Sequence, residues 1–87
     1  MSNLNEKIDE DLKEKILKEE KDIPIIIMLS ELNDANIQKL EELGVKNLDK
    51  LELIEGVSGI ADSNLISKIS KLDFVKEIHL DREKKPL

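Results

Sequence analysis

Cysteine is absent from this 87-residue chain, which rules out a disulfide framework and any thiolate metal site, and leaves no thiol nucleophile. Aromatic residues are reduced to Phe74, so there is no platform on which bases could stack. Histidine occurs once, at His79, and arginine once, at Arg82. Glycine is confined to Gly44, Gly56 and Gly59, which form no phosphate-cradling loop, and no histidine stands beside any serine to form an evident nucleophile–base pair. No apolar run is long enough to span a membrane, and the N-terminus lacks a signal-peptide pattern; if the protein is exported, the expectation is that its signal has already been removed. The formal net charge of -6, with acidic residues spread along the chain, argues against a protein that tracks phosphates, so no nucleic-acid partner is expected. The scattered carboxylates show no EF-hand spacing and read as a solvated face, so neither a metal nor another cofactor is expected. This inventory points away from catalysis and towards a small domain that works through its surfaces.

What is present is a regular alternation of apolar patterns. Residues 2–22 are strongly charged, yet Leu4, Ile8, Leu12 and Ile16 recur every fourth position, predicting a narrow amphipathic helix along one edge of the domain. Its charged face is net acidic, which disfavours a membrane-surface role. The run IPIIIML at residues 23–29 is apolar on both parities and predicts a central strand, with Pro24 tolerated near its start. Asn33 or Asp34 then caps a helix with Leu32 as a staple against Ile37, an inner stripe of Ile37, Leu40 and Leu43, and a stop at Gly44. Residues 48–54 read as an irregular strand, turned by Glu55 and Gly56 into a second strand at 57–61. Asp62 or Ser63 starts another helix, whose Leu65, Ile66, Ile69 and Leu72 share a face. A last strand carries Phe74, Ile78 and Leu80 on one parity and Glu77, His79 and Asp81 on the other.

After the first helix the order is strand, helix, strand, strand, helix, strand. That order predicts an α+β domain: a ferredoxin-like βαββαβ antiparallel sheet with two helices on one face and its first and third strands central, preceded by the N-terminal amphipathic helix. The expected divisions are a charged helical extension at 1–22, the sheet domain at 23–81 and an extended tail at 82–87. One core is expected from Ile23, Ile25, Ile27, Leu40, Leu43, Leu51, Leu53, Ile60, Ile66, Ile69, Phe74 and Ile78, enough for a chain that folds alone as a monomer. The sheet's second face has no helix of its own, although residues such as Ile26 and Met28 must point there. Either the N-terminal helix or a partner should cover them.

Three stretches together resemble a known family. KDIPIIIML, preceded by the charged helix IDEDLKEKILKEE, resembles the opening strand of the N-terminal propeptides of subtilisin-like serine proteases and of the free-standing inhibitors related to them. LELIEGVSGIAD is similar to their hairpin leading into the second helix, and DFVKEIHLD to their final strand. The resemblance implies inhibition of a subtilisin-like protease domain and assistance to its folding, as an intramolecular chaperone that keeps the zymogen inactive. The open sheet face would dock on two parallel surface helices of the protease, with acidic residues of the final strand capping their N-termini. Asp81 matches the family's aspartate, Glu77 and His79 share its strand, and the tail would run through the substrate groove. Leu87 would then sit in the primary specificity pocket and Pro86, Lys85 and Lys84 in the preceding subsites, the chain end being a product of autoprocessing. The family usually has a glutamate where His79 stands, an aromatic where Glu77 stands, and often an apolar residue where Lys84 stands. An imidazolium cannot accept a hydrogen bond from a helix amide and opposes the helix dipole, so acidification is expected to loosen the complex.

The resemblance implies an extracellular protein; the alternative reading is cytoplasmic. That alternative is a stand-alone regulatory or interaction module of ferredoxin-like fold, which would pair through sheet edges and bind a small molecule between copies. Such modules call for a glycine-rich turn after the first strand, where this chain has SELND.

Overall fold

A computed structural model describes residues 7–82. Helix α1 (Glu10–Leu17) is followed by strand β1 (Ile23–Leu29), helix α2 (Asp34–Leu43), strand β2 (Lys46–Leu51), a 3-10 turn (Glu52–Ile54), strand β3 (Gly56–Ala61), helix α3 (Ser63–Ile69) and strand β4 (Val75–Leu80). The strands form an antiparallel sheet in the order β2-β3-β1-β4, so β1 and β3 are central, and the protein is a small α+β domain.

Strand β1 sets the two faces. Ile23, Ile25, Ile27 and Leu29 are all buried towards the helices, beside Ala61, Gly59 and Val57 of β3 and Leu80, Ile78 and Val75 of β4. Leu40 of α2 and Ile66 and Ile69 of α3 close this core, each with no exposed surface. Each helix begins with a side-chain cap that satisfies an orphan amide. Asp9, Asn33 and Asp62 accept from the backbone N–H of Leu12, Asn36 and Leu65, each at 2.8 Å. Helix α2 stops at Gly44, whose φ of 116° lies in the left-handed region where a Cβ would be strained.

Several expectations of strand bounds and core membership are corrected, among them Leu43 and Leu51, which are half-buried outside the core cluster. The strand expected at 48–54 lies at 46–51. Apolar residues at 48, 51, 53 and 54 do not keep a two-residue period, and the chain turns through the 3-10 segment and a left-handed Glu55 (φ 52°). Leu53, expected in the core, is fully exposed at 103 %, and Ile60 is half-buried on the face away from the helices. In β4, Leu29 pairs with Val75 while Met28 pairs with Glu77, a bulge that substitutes Val75 for Phe74 in the core; Phe74 packs half-buried at its margin. The N-terminal stripe is also divided. Leu12 lies within α1, whereas Ile8 precedes it in extended backbone, bridging Ile78 in parallel at the outer edge of β4.

Gly56 is constrained by close approach, since a Cβ there would meet the carbonyl oxygen of Ile27 at 2.7 Å. The obstacle is backbone in the central strand and cannot rotate away. Gly56→Ala is expected to destabilise the fold by about 1–3 kcal/mol, read as a lower urea midpoint at unchanged slope. An unaltered midpoint would show that β1 and β3 separate more easily than their register implies.

Candidate functional site

The face of the sheet opposite the helices is built from the second parity of β1. Cross-strand register aligns Leu51, Gly56, Met28 and Glu77 in one row and Asp49, Ser58, Ile26 and His79 in the next. A third row joins Lys46, Ile60 and Pro24. Directly opposed residues in an antiparallel sheet project to the same side, so Ile26, Met28, Ile60 and Leu51 form an apolar centre. Gly56 and Ser58 are small and buried, leaving a shallow trough along β3 between the longer side chains of β1 and β2. Polar groups border it, with Asp49 and Lys46 on β2 and Glu77 and His79 on β4.

Helix α1 does not cover this face. Ile8 and Leu12 join the same buried cluster as Ile66 and Ile69, placing the N-terminal element in the helix layer, against α3 and the outer side of β4. The described helices pack on the other face, and Ile26 and Met28 remain half-buried, outside the core cluster.

The β4 border is densely hydrogen-bonded. His79 Nε2 lies 2.6 Å from Glu77 Oε1, and its Nδ1 lies 3.3 Å from Asp9 Oδ2. Glu77 is the neighbour that strand parity pointed to. Asp9 is remote in sequence, and its arrival depends on the way residues 7–9 cross the strand edge. Asp81, expected to share the outward parity of Glu77 and His79, is 6 % exposed, and its backbone N–H donates to Pro24 O at 3.0 Å. Arg82, not singled out as a site residue by the sequence, reaches back to Asp11. That hydrogen bond, aided by the charges of Asp11 and Asp9, holds its guanidinium above the ordinary arginine pKa against a smaller effect of desolvation. Lys84, Lys85, Pro86 and Leu87 lie outside the described residues.

Among the described residues, two hollows border the ends of this face at Ile60 and Leu51. One, of about 370 Å³, sits where β2 begins and β3 ends; Lys21, Lys46, Asp22 and Asp62 line it beside Ile60 and Leu65, so its charges offset one another. The other is an open apolar notch at Leu51, Leu53 and Ile54. Among the described residues, no group of three or more histidine or acidic side chains is placed to hold a metal ion, and no helix is long and apolar enough to cross a membrane. No family model matches the chain, and no curated protein or solved structure matches it.

Proposed function

We propose that this chain is a propeptide-type inhibitor of subtilisin-like serine proteases, a non-catalytic protein of ferredoxin-like fold that acts outside the cell and also assists folding of its protease. The observation that carries the reading is the open sheet face, an apolar centre uncovered among the described residues and bordered by Glu77 and His79 on the strand that leads into the tail. The ferredoxin-like part rests on β1 and β3 being central and on a helix following each of them. In the proposed complex two protease helices lie across Ile26, Met28 and Ile60, with Glu77, His79 and Asp81, which share one parity of β4 and the residue after it, meeting their N-terminal amides. Residues 84–87 then occupy the substrate groove.

The rival module that pairs through sheet edges is disfavoured by one feature. The β4 edge is already occupied, since Ile78 N donates to Lys7 O at 2.7 Å and Asp9 N to Ile78 O at 3.2 Å. The β2 edge is irregular and carries Lys46, Asp49 and Lys50.

The test is inhibition across a panel of subtilisin-like proteases by the full chain and by a chain ending at Glu83. The full chain is expected to inhibit at least one member competitively, with the shorter chain weaker by about a hundredfold, because the tail supplies the groove contacts of an interface near ~1,600 Å² in total. Both should melt within about 2 °C of each other, since in this reading the tail contributes to binding and little to the core. Equal inhibition by the two chains would remove the tail from the mechanism, and no inhibition of any member would remove the reading.

A further inference from the structure

Asp9 joins three parts of the molecule, α1, β4 and Arg82 in the chain that leaves β4. Its Oδ1 accepts from Leu12 N at 2.8 Å and so starts α1, while its Oδ2 accepts from Leu80 N at 3.0 Å on the outer edge of β4. The same oxygen lies 3.3 Å from His79 Nδ1 and 3.9 Å from Arg82 Nη2. The side chain is 17 % exposed, low for a carboxylate in a small domain, and each of its oxygens has a donor. At Leu80 the carboxylate stands in for the carbonyl of a further strand, continuing the pairing that Lys7 and Asp9 make through their backbones with Ile78. One residue later the opposite side of the chain is also held, by Asp81 N on Pro24 O at 3.0 Å. One residue after that, Arg82 is drawn onto α1 by Asp11. The chain leaving β4 is therefore gripped in succession by α1, β1 and α1 again.

We propose that Asp9, Asp11 and Arg82 are positioning residues that fix the direction in which the chain leaves β4, so that the N-terminal helix aims the segment destined for the partner's groove. The inference rests on the reading of that segment as the groove-binding one. Its physical basis is preorganisation: a segment already pointed along its bound path loses less freedom on docking. Arg82 and Asp11 are exposed, so the pair contributes modestly by itself; its geometry carries more weight because Asp9 is fixed by two backbone amides.

Asp9→Asn separates the roles. Asparagine caps a helix as well as aspartate does, but it has one acceptor oxygen where aspartate has two, and no charge for Arg82. The expected result is amide exchange at Leu80 faster by about tenfold or more, exchange at Ile78 changed by less than about threefold, and a nearly constant melting temperature. The Arg82 Nε–Hε signal should stay ordered in Asp9→Asn, where Asp11 still accepts from the guanidinium, and show fast averaging in Asp11→Asn. Against a protease that the wild type inhibits, Asp9→Asn and Arg82→Gln are each expected to weaken inhibition by about three- to tenfold, Arg82→Lys by less, and the double variant by no more than either alone. Unchanged exchange at Leu80 in Asp9→Asn would overturn the proposal, as would an ordered Arg82 in Asp11→Asn or inhibitory losses that multiply in the double variant. If the wild-type chain inhibits no protease, the groove-binding reading fails, while the exchange and Arg82 measurements still decide whether Asp9 fixes the exit of β4.

Discussion

Leu12→Ala is expected to lower the free energy of unfolding by about 2–5 kcal/mol, the range for truncating a fully buried leucine. A domain of this length has about 4–13 kcal/mol to lose, so the substitution removes a large share of its stability. The argument is one of position. Helix α1 has two turns, too few to persist alone in water, and its charged sequence gives it little apolar surface beyond one stripe. Leu12 has no exposed surface and belongs to the cluster that holds Ile66, Ile69 and Ile78. Deleting its side chain leaves a cavity under α3 and loosens the element that covers the edge of β4. Leu17, 82 % exposed at the end of the same helix, is the matched control, and Leu17→Ala should change stability by less than about 0.5 kcal/mol. Urea denaturation followed by circular dichroism measures both. If Leu12→Ala costs under about 1 kcal/mol, α1 is an appendage and not a part of the core.

Ile26→Lys is expected to abolish protease inhibition while leaving the fold standing. Ile26 lies in the central strand, between Ser58 and His79 on the open face, and is half-buried in the free chain. There a lysine can run its stem over the face and keep its ammonium in water, at a folding cost of about 1 kcal/mol for the poorer strand former. In the proposed complex the ammonium would be trapped against the partner, near the positive ends of its helices. An unpaired charge buried in an interface costs about 3–5 kcal/mol, or roughly two to three orders of magnitude in the inhibition constant. Circular dichroism gives the first quantity and a protease assay the second. Undiminished inhibition by a folded Ile26→Lys chain would mean that the open face is not the docking surface.

Where the sequence carried a strong local signal, structure and expectation coincide. IPIIIML forms a strand over the predicted residues, and Asn33, Gly44 and Asp62 cap helices as their side chains dictate. The departures have a common physical origin. Leu53 and Ile54 are apolar but follow neither strand nor helix period, so hydrophobicity alone assigned Leu53 a burial that backbone geometry denies. The exchange of Phe74 for Val75 comes from a bulge at the end of β1, and a bulge leaves no periodic trace. Parity on the last strand correctly placed His79 and Glu77 side by side. Asp9 was out of reach of any local argument because its contacts with His79, Leu80 and Arg82 join opposite ends of the chain. A possible hint was the sequence Asp9-Glu10-Asp11 ahead of an apolar residue, which is an N-cap pattern in a stretch that the four-residue repeat had already assigned to helix.

The parallel bridge between Ile8 and Ile78 also bears on how the molecule comes to be folded. These residues are 70 positions apart (78 - 8), and β4 must be in place before the bridge can form. Closing a loop of that length costs about 4 kcal/mol of chain entropy on a logarithmic scale, with no local contact to offset it. Central strand β1 pairs with β4 as well as with β3, so during synthesis it waits with one side unpaired. The domain should therefore fold only once β4 is available, in milliseconds or longer, with α1 docking late. In a stopped-flow experiment, Leu12→Ala would then speed unfolding far more than it slows refolding.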